Sequence, residues 1–272
     1  MKIPFIKAHG ARNDFLLTWR HQLPAEVADP ARLARAMCAR HTGVGADGWI
    51  LISETADETD AAIELWNSDG SRSELSGNGT RCAAALVVSG RRAQEEGRAP
   101  EKVMIATGAG PKSLRLLRSD GYSFSFEMNM GAVVIEELTS GLVAGRECVI
   151  LNAGNPQCAV FTTDFEFDWR TLGAHLERHP RFPNRTNVSF VRVVDDHRID
   201  ARFFERGAGE TMSSGTGSTG AVAAAIARGW VRSPVDVETP AGLLEVRMEN
   251  DEFLLTGPAE IVASGEFFYE SE

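Results

Sequence analysis

The sequence has no long apolar run and no excess of positive charge. No stretch reaches the ~18–20 apolar residues that a membrane-spanning helix requires. The N-terminus, MKIPFIKAHG, lacks the continuous apolar segment of a signal peptide. The formal net charge of −10 disfavours nucleic acid and anionic membranes as partners, because both attract basic surfaces. We therefore expect a cytoplasmic protein whose partners include neither nucleic acid nor membrane.

Cysteine is also scarce. The spacings of the four cysteines, Cys38, Cys82, Cys148 and Cys158, match neither a zinc motif nor a redox CxxC pair. Unpaired thiols are typical of proteins in the reducing cytosol. We expect four free thiols and no metal site.

The 272 residues are 43% hydrophobic, which is enough for one or two cores. Helices are predicted at 30–40, with Asp29 as cap, and at 168–179, with Asp168 as cap. Two further helices, rich in small residues, are predicted at 81–90, ending at Gly90, and at 220–230. Alternating segments predict the strands, at 2–7, 15–19, 61–67, 102–107, 113–118, 122–128, 148–154, 188–194, 199–205, 235–239, 243–248 and 252–268.

The two halves of the chain repeat one pattern. Ser76-Gly77-Asn78-Gly79 and Ser214-Gly215-Thr216-Gly217 both read S-G-x-G and precede an Ala-rich helix. A helix start offers unpaired N–H groups and a positive dipole end, which bind carboxylates. Two such loops facing each other would hold one carboxylate, with Ser76 and Ser214 on either side of the adjacent carbon. The alternative is that both serines are plain helix N-caps.

A second alternative concerns the glycines at 215–220, which fit the dinucleotide pattern G-x-G-x-x-G, with Glu238 downstream. That fingerprint requires a strand that runs almost directly into the first glycine. Here a polar stretch, 206–214, intervenes, and the first-half copy lacks the third glycine. The context therefore disfavours a nucleotide site.

Eight segments in order resemble the diaminopimelate epimerase family. They are KAHGARNDF (7–15), RHTGVGADG (40–48), NSDGS (67–71), SGNGTRC (76–82), NAGNPQC (152–158), RFPNRTNVSF (181–190), ERGAGETMSSGTG (205–217) and TGPAEIV (256–262). The resemblance implies an α+β fold of two similar lobes, each a barrel-like sheet around a central helix, with the active site in a cleft between them. We expect an N-terminal lobe of residues 1–117, joined by 263–272, and a C-terminal lobe of residues 118–262.

The resemblance also implies an isomerase that needs neither pyridoxal phosphate nor a metal. Its simplest activity is conversion of LL- to meso-diaminopimelate in lysine biosynthesis, by a cytoplasmic homodimer. The implied substrate-binding positions are Asn13, Asn67, Gly77, Asn78, Asn155, Asn187, Arg206, Gly215 and Thr216. Amides that both donate and accept, together with a forked guanidinium, suit an amino acid with a second carboxylate.

The chain departs from the family at its catalytic positions. Ser76 and Ser214 stand where the family has two cysteines, and Gln157 stands where it has a histidine. A hydroxyl has a far higher pKa than a thiol and needs an adjacent base, a role that Glu205 could fill and that the amide of Gln157 cannot.

Three functions follow as hypotheses. The first is an epimerase or racemase whose serines are slow or are activated by a carboxylate. The second is a diverged proton-shift isomerase that uses Glu205 as its base. The third is an amino-acid-binding homologue without catalysis.

Overall fold

The computed structural model describes residues 1–56, 58–94 and 100–270. It divides the chain into two compact units, Met1–Met128 with Gly257–Glu272, and Asn129–Thr256. The domain boundaries predicted after residues 117 and 262 fall inside strands of this structure, 110–120 and 252–268.

The first unit is a sheet that surrounds one helix. Its elements are β1 (Lys2–Gly10), β2 (Asn13–Trp19), α1 (Pro30–Cys38), β3 (Gly48–Ser53), β4 (Ala61–Asn67), β5 (Arg72–Ser73), α2 (Gly77–Gln94), β6 (Lys102–Thr107), β7 (Gly110–Asp120), β8 (Ser123–Gly131) and the larger part of β17 (Glu252–Phe268). The pairings run β1-β2-β3-β4-β6-β7-β8-β17 and return to β1, which closes an eight-stranded ring. Helix α2 packs against β1, β2, β3, β4 and β6 of this ring.

The second unit repeats this plan. Its elements are β9 (Val134–Val143), β10 (Arg146–Asn152), β11 (Pro156–Phe161), α3 (Trp169–Glu177), β12 (Asn187–Asp195), β13 (Arg198–Glu205), β14 (Gly209–Thr211), α4 (Gly215–Ala227), β15 (Val235–Thr239) and β16 (Gly242–Glu249). From β10 to β17 the neighbours are antiparallel, parallel, antiparallel, parallel, antiparallel and antiparallel. The neighbours from β1 to β8 follow the same order. The predicted α+β fold of two similar halves, each a sheet around a helix, is confirmed.

Local capping explains the two outer helices. Asp29 accepts a hydrogen bond from the N–H of Arg32 at 3.1 Å, and Pro30 occupies the first position of α1. Asp168 accepts from the N–H of Thr171 at 3.1 Å at the start of α3. Both predicted caps are confirmed.

The two central helices begin earlier than predicted, at Gly77 and Gly215 rather than at 81 and 220. The glycine-rich segments form the first helical turns, because glycine lets each helix approach its sheet closely. A Cβ on Gly217 would lie 2.8 Å from the Phe203 ring, and one on Gly79 would lie 3.0 Å from Ile50. The predicted end of the first helix at Gly90 is wrong, since α2 continues to Gln94.

Five strands were missing from the prediction, β3, β5, β9, β11 and β14. Five consecutive residues of β3, Gly48–Ile52, are buried, so this strand shows no alternation between polar and apolar side chains. In the described residues, no helix is both long enough and apolar enough to cross a membrane.

Candidate active site

Ser214 is both the cap of α4 and the partner of a carboxylate. Its hydroxyl accepts a hydrogen bond from the N–H of Gly217 at 3.0 Å and donates one to Oε1 of Glu205 at 2.6 Å. The side chain is buried, with 2% of its surface exposed. The N-cap interpretation is therefore correct for Ser214, but the same hydroxyl is also hydrogen-bonded to an acidic group.

The β13–β14 hairpin brings Glu205 to this position. Phe203 of β13 pairs with Thr211 of β14, and α4 begins four residues later, at Gly215. The hydroxyl of Thr211 donates to the other carboxylate oxygen of Glu205, Oε2, at 2.8 Å. Each oxygen of Glu205 thus accepts a hydrogen bond from one hydroxyl, and the two bonds fix the orientation of the carboxylate.

Gln157 contacts the first turn of α4. Its Nε2 donates to Oδ1 of Asn155 at 2.7 Å and to Oγ1 of Thr216 at 3.1 Å. Asn155 donates to the same threonine hydroxyl at 3.3 Å. The Oε1 atom of Gln157 is buried and accepts no hydrogen bond from the described residues. Gln157 lies with the predicted site residues of this unit, where its amide can bind but cannot titrate.

Asn187 and Arg206 adjoin this group. Asn187 donates to the carbonyl of Pro156 at 2.9 Å and accepts from the N–H of Arg206 at 3.0 Å. The guanidinium of Arg206 donates to the carbonyl of Asn184 at 3.2 Å. The second unit therefore brings together the site residues that the sequence predicts in its segment, namely Asn155, Gln157, Asn187, Glu205, Arg206, Ser214, Gly215 and Thr216.

Ser76 has a different environment in the first unit. Its hydroxyl accepts from the N–H of Gly79 at 3.1 Å, so it too caps its helix. Among the described residues, this hydroxyl makes no hydrogen bond to a carboxylate. The structure therefore pairs one of the two serines with an acidic group and leaves the other as a cap alone.

Two predicted asparagines of the first unit, Asn13 and Asn67, lie at the ends of strands, and Asn78 lies in the first turn of α2. Asn78 donates to Oδ1 of Asn13 at 3.1 Å, next to the capped start of α2. Asn67 closes the turn after β4, where it donates to the hydroxyl of Ser71 at 2.9 Å. Asn67 also pairs with Gly48 across β3 and β4.

Sequence reasoning missed a charged cluster beside Asn13. Asp14 and Asp47 both bind the guanidinium of Arg40, at 3.1 and 2.6 Å. Burial raises the pKa of Asp14, but hydrogen bonds and charge from Lys7 and Arg40 outweigh it and hold that pKa below its usual value. Burial and the charge of Asp14 raise the pKa of Asp47. The sequence could have indicated this cluster, because its four charged residues lie in two of the family segments, 7–15 and 40–48.

The glycines at 215–220 do not have the setting of a dinucleotide site. They lie within the first turns of α4, and β14 ends at Thr211. Gly220 packs on Leu151 and Gln157, and Glu238 pairs with Arg198 at 3.4 Å. These glycines serve helix packing.

Comparison with known proteins shows the family of the chain. The family model described as "Diaminopimelate epimerase" matches residues 5–136 and 149–262. The chain belongs to the diaminopimelate epimerase family. Among its relatives, a diaminopimelate epimerase of Pelotomaculum thermopropionicum is 35% identical, with 98% of this chain and 99% of the relative covered. One from Heliobacterium modesticaldum is 36% identical, with 96% and 98% covered.

Solved structures share the fold at lower sequence identity. A hydroxyproline epimerase from Agrobacterium vitis, with bound trans-4-hydroxy-L-proline, has a TM-score of 0.73 at 16% identity and covers 97% of this chain and 92% of its own. A methylitaconate-delta-isomerase has a TM-score of 0.63 at 15% identity and covers 98% and 95%. These likenesses support the two-unit epimerase and racemase fold of the family.

The four cysteine thiols are expected to resist alkylation in the folded protein. All four cysteines are free and buried. Burial raises the pKa of Cys38 and of Cys82 to about 12, and that of Cys148 to about 11. The thiolate is the nucleophile, so iodoacetamide at pH 8 should leave the native protein unmodified by mass spectrometry. The same reagent in urea should label four thiols, and labelling of the native protein within minutes would contradict this prediction.

Proposed function

We propose that this protein removes and returns the α-proton of an amino acid that carries a second carboxylate, and so inverts the α-carbon without a cofactor. Diaminopimelate is the simplest substrate, and this activity would serve lysine biosynthesis. The observation that carries the proposal is the 2.6 Å hydrogen bond from Ser214 to Glu205 at the start of α4. Family membership supports the same reaction class.

The pair Ser214–Glu205 supplies the base that a lone serine lacks. As Oγ of Ser214 takes up the α-proton, its own proton passes to Glu205. The electron pair of the broken C–H bond then moves into the adjacent carboxylate. The N–H groups at the start of α4 stabilise that negative charge. We propose, from the family resemblance, that Ser76 donates the proton that completes inversion. The Ser76 oxygen then regains a proton from solvent, and Glu205 releases its proton to solvent.

The second carboxylate explains the remaining polar residues. Arg206 can fork onto a carboxylate, while Asn155 and Asn187 can accept from an ammonium group and donate to an oxygen. Asn13, Asn67 and the start of α2, Gly77 and Asn78, would bind the reacting end. We also propose, from the family resemblance, that the protein is a cytoplasmic homodimer, which sedimentation velocity would test.

Proton exchange tests this function directly. The protein is incubated in D₂O with LL- or meso-diaminopimelate, and deuterium at the α-carbon is followed by NMR and mass spectrometry. Chiral chromatography of the same samples measures inversion. Exchange together with inversion supports the proposal. Calorimetric binding without exchange would indicate a binding homologue instead.

Arg206→Ala is expected to weaken diaminopimelate binding by ~1.5–3 kcal/mol, the range for a hydrogen bond to a charged group. In a titration this is about a 10- to 150-fold rise in Kd. Arg232→Ala is the control, because that arginine is exposed and pairs with Asp196. Equal affinity of wild type and Arg206→Ala in calorimetry would remove Arg206 from the site.

A proton-shift isomerase is the second candidate. It is favoured by the same carboxylate, because Glu205 could move a proton between two carbons of an unsaturated diacid without inversion. The fold is shared with a methylitaconate-delta-isomerase. A change in the ultraviolet absorbance of an unsaturated dicarboxylate on incubation with the protein would report a shift of its double bond. Such a change, in a preparation that does not exchange diaminopimelate protons, would favour this candidate.

A further inference from the structure

A series of hydrogen bonds in the first unit joins a buried cation to a partly buried carboxylate. Arg81 donates from its Nη2 to Oδ1 of Asn78. Asn78 donates from Nδ2 to Oδ1 of Asn13 at 3.1 Å. Asn13 donates from Nδ2 to Oδ2 of Asp47 at 2.7 Å. The donors therefore all point the same way, from Arg81 toward Asp47.

The two charged ends determine the orientation of both amides. A guanidinium can only donate, so Asn78 must present its oxygen to Arg81. Its NH₂ group then faces Asn13, which must present an oxygen in turn. An ionised carboxylate can only accept, so the NH₂ group of Asn13 faces Asp47. Neither asparagine can rotate its amide by 180° without placing donor against donor or acceptor against acceptor.

Both ends of the chain are anchored. Asp47 accepts from Arg40 at 2.6 Å and from the N–H of Asp14 at 3.1 Å, while its own N–H donates to the Asp14 carboxylate at 3.1 Å. Arg81 is fully buried and donates from Nε to the carbonyl of Pro258 at 3.1 Å. These contacts hold the hydrogen-bonded side chains from Arg81 to Asp47 in one arrangement.

Arg81 also carries a charge that the described residues do not neutralise. No acidic side chain among them pairs with it, and its Nη1 atom is buried without a hydrogen-bond partner. Burial lowers the pKa of Arg81 to about 10, so the side chain stays charged at neutral pH. A buried unpaired charge is costly, and an anion bound at the start of α2 would offset that cost.

We propose that Arg81 and Asp47 are positioning residues that fix Asn13 as a hydrogen-bond donor to a substrate carboxylate at the start of α2. This inference rests on the proposed function. Asn13 has a second amide N–H, and among the described residues only its bond to Asp47 uses an amide hydrogen. The free N–H of Asn13 can therefore be met only by an acceptor, such as a carboxylate oxygen. The equivalent of Arg81 in the second unit is Thr219, whose hydroxyl donates to the carbonyl of Gly215 in the same helix. This series of hydrogen bonds is therefore specific to the first unit.

The proposal makes binding depend on pH. Protonated Asp47 would no longer be an acceptor only, and Asn13 would lose its fixed orientation. The groups that face Asp47 are Lys7, Asp14, Cys38 and Arg40. The pKa of Asp47 is raised, that of Asp14 is lowered, and the Cys38 thiol is neutral with a pKa of about 12. As pH falls below neutrality, Asp47 is thus the member of this cluster that protonates first, and affinity for a carboxylate should fall with it.

Calorimetry with two probes tests the inference between pH 5 and 8. Pimelate has both carboxylates and no amine, whereas 1,5-diaminopentane has both amines and no carboxylate. Asp47→Asn should weaken pimelate binding at pH 7.5 about tenfold or more. It should also reduce the loss of affinity at low pH to the part that protonation of pimelate itself causes. Arg81→Met should weaken pimelate binding similarly, while Arg81→Lys keeps the charge and should restore part of it. Binding of the diamine should not follow this pattern.

The outcomes separate this inference from the function on which it rests. If wild type exchanges the α-proton but Asp47→Asn keeps the wild-type affinity and pH profile for pimelate, the inference alone is overturned. If wild type binds neither pimelate nor diaminopimelate, both fail together. Thermal melting reports whether Asp47→Asn is folded. If Asp47→Asn is unfolded, the inference is tested by the pH dependence of pimelate binding to wild type and by the pimelate affinities of Arg81→Lys and Arg81→Met.

Discussion

Replacing both serines, Ser76→Cys and Ser214→Cys, should raise the rate of α-proton exchange by ~10²–10⁴-fold, the usual range for general acid–base catalysis. A thiol of pKa ~8.5 is lowered further at a helix N-terminus, and both positions are helix caps. The helix N–H groups that would stabilise the developing charge under the proposed mechanism are already in place. Deuterium uptake by diaminopimelate in D₂O measures the gain.

The single substitutions are the matched controls. Each single cysteine should allow exchange on its own face with retention of configuration, whereas inversion needs both faces. Adding Gln157→His should increase the rate further, because Gln157 contacts the first turn of α4 and cannot titrate. A double variant that binds diaminopimelate yet takes up no more deuterium than wild type would show that the pocket is not built for α-proton removal.

Glu205→Gln should reduce proton exchange in the wild-type background by ~10²–10⁴-fold while leaving substrate affinity within about threefold. The substitution keeps the shape of the side chain but removes the acceptor for the Ser214 proton. Glu210→Gln is the control, since that carboxylate lies on the same hairpin and pairs with Arg170 at the surface. Exchange rates and calorimetric affinities separate the loss of chemistry from the loss of binding.

The effects of Glu205→Gln and of the double cysteine replacement on the exchange rate should also be coupled. If Glu205 supplies the basicity that serine lacks, Glu205→Gln should cost far less in the double-cysteine protein than in wild type. Equal losses in the two backgrounds would mean that Glu205 acts on the substrate directly and not through residue 214.

Much of the fold follows from local sequence. Asp29 and Asp168 predict the starts of α1 and α3, because short acidic side chains cap the nearest free N–H groups. Alternating residues predict most strands, since side chains alternate between the faces of a sheet. The eight ordered segments identify the family, and the S-G-x-G echo marks the equivalent helices of the two units.

Other features depend on residues that only the fold brings together. Helices α2 and α4 begin inside glycine-rich segments because Ile50 and Phe203, far away in sequence, leave no room for a side chain. The Ser214–Glu205 pair depends on the β13–β14 hairpin, which places its two members in contact across nine residues.

The series of hydrogen bonds from Arg81 to Asp47 also depends partly on sequence and partly on the fold. Its residues lie in three motifs of the sequence, but Asn13 is 34 residues from Asp47 and 65 from Asn78. A motif specifies which donors and acceptors are available. Which atom donates to which is decided by strand pairing and burial, because a buried polar group must find its partner wherever the backbone places one.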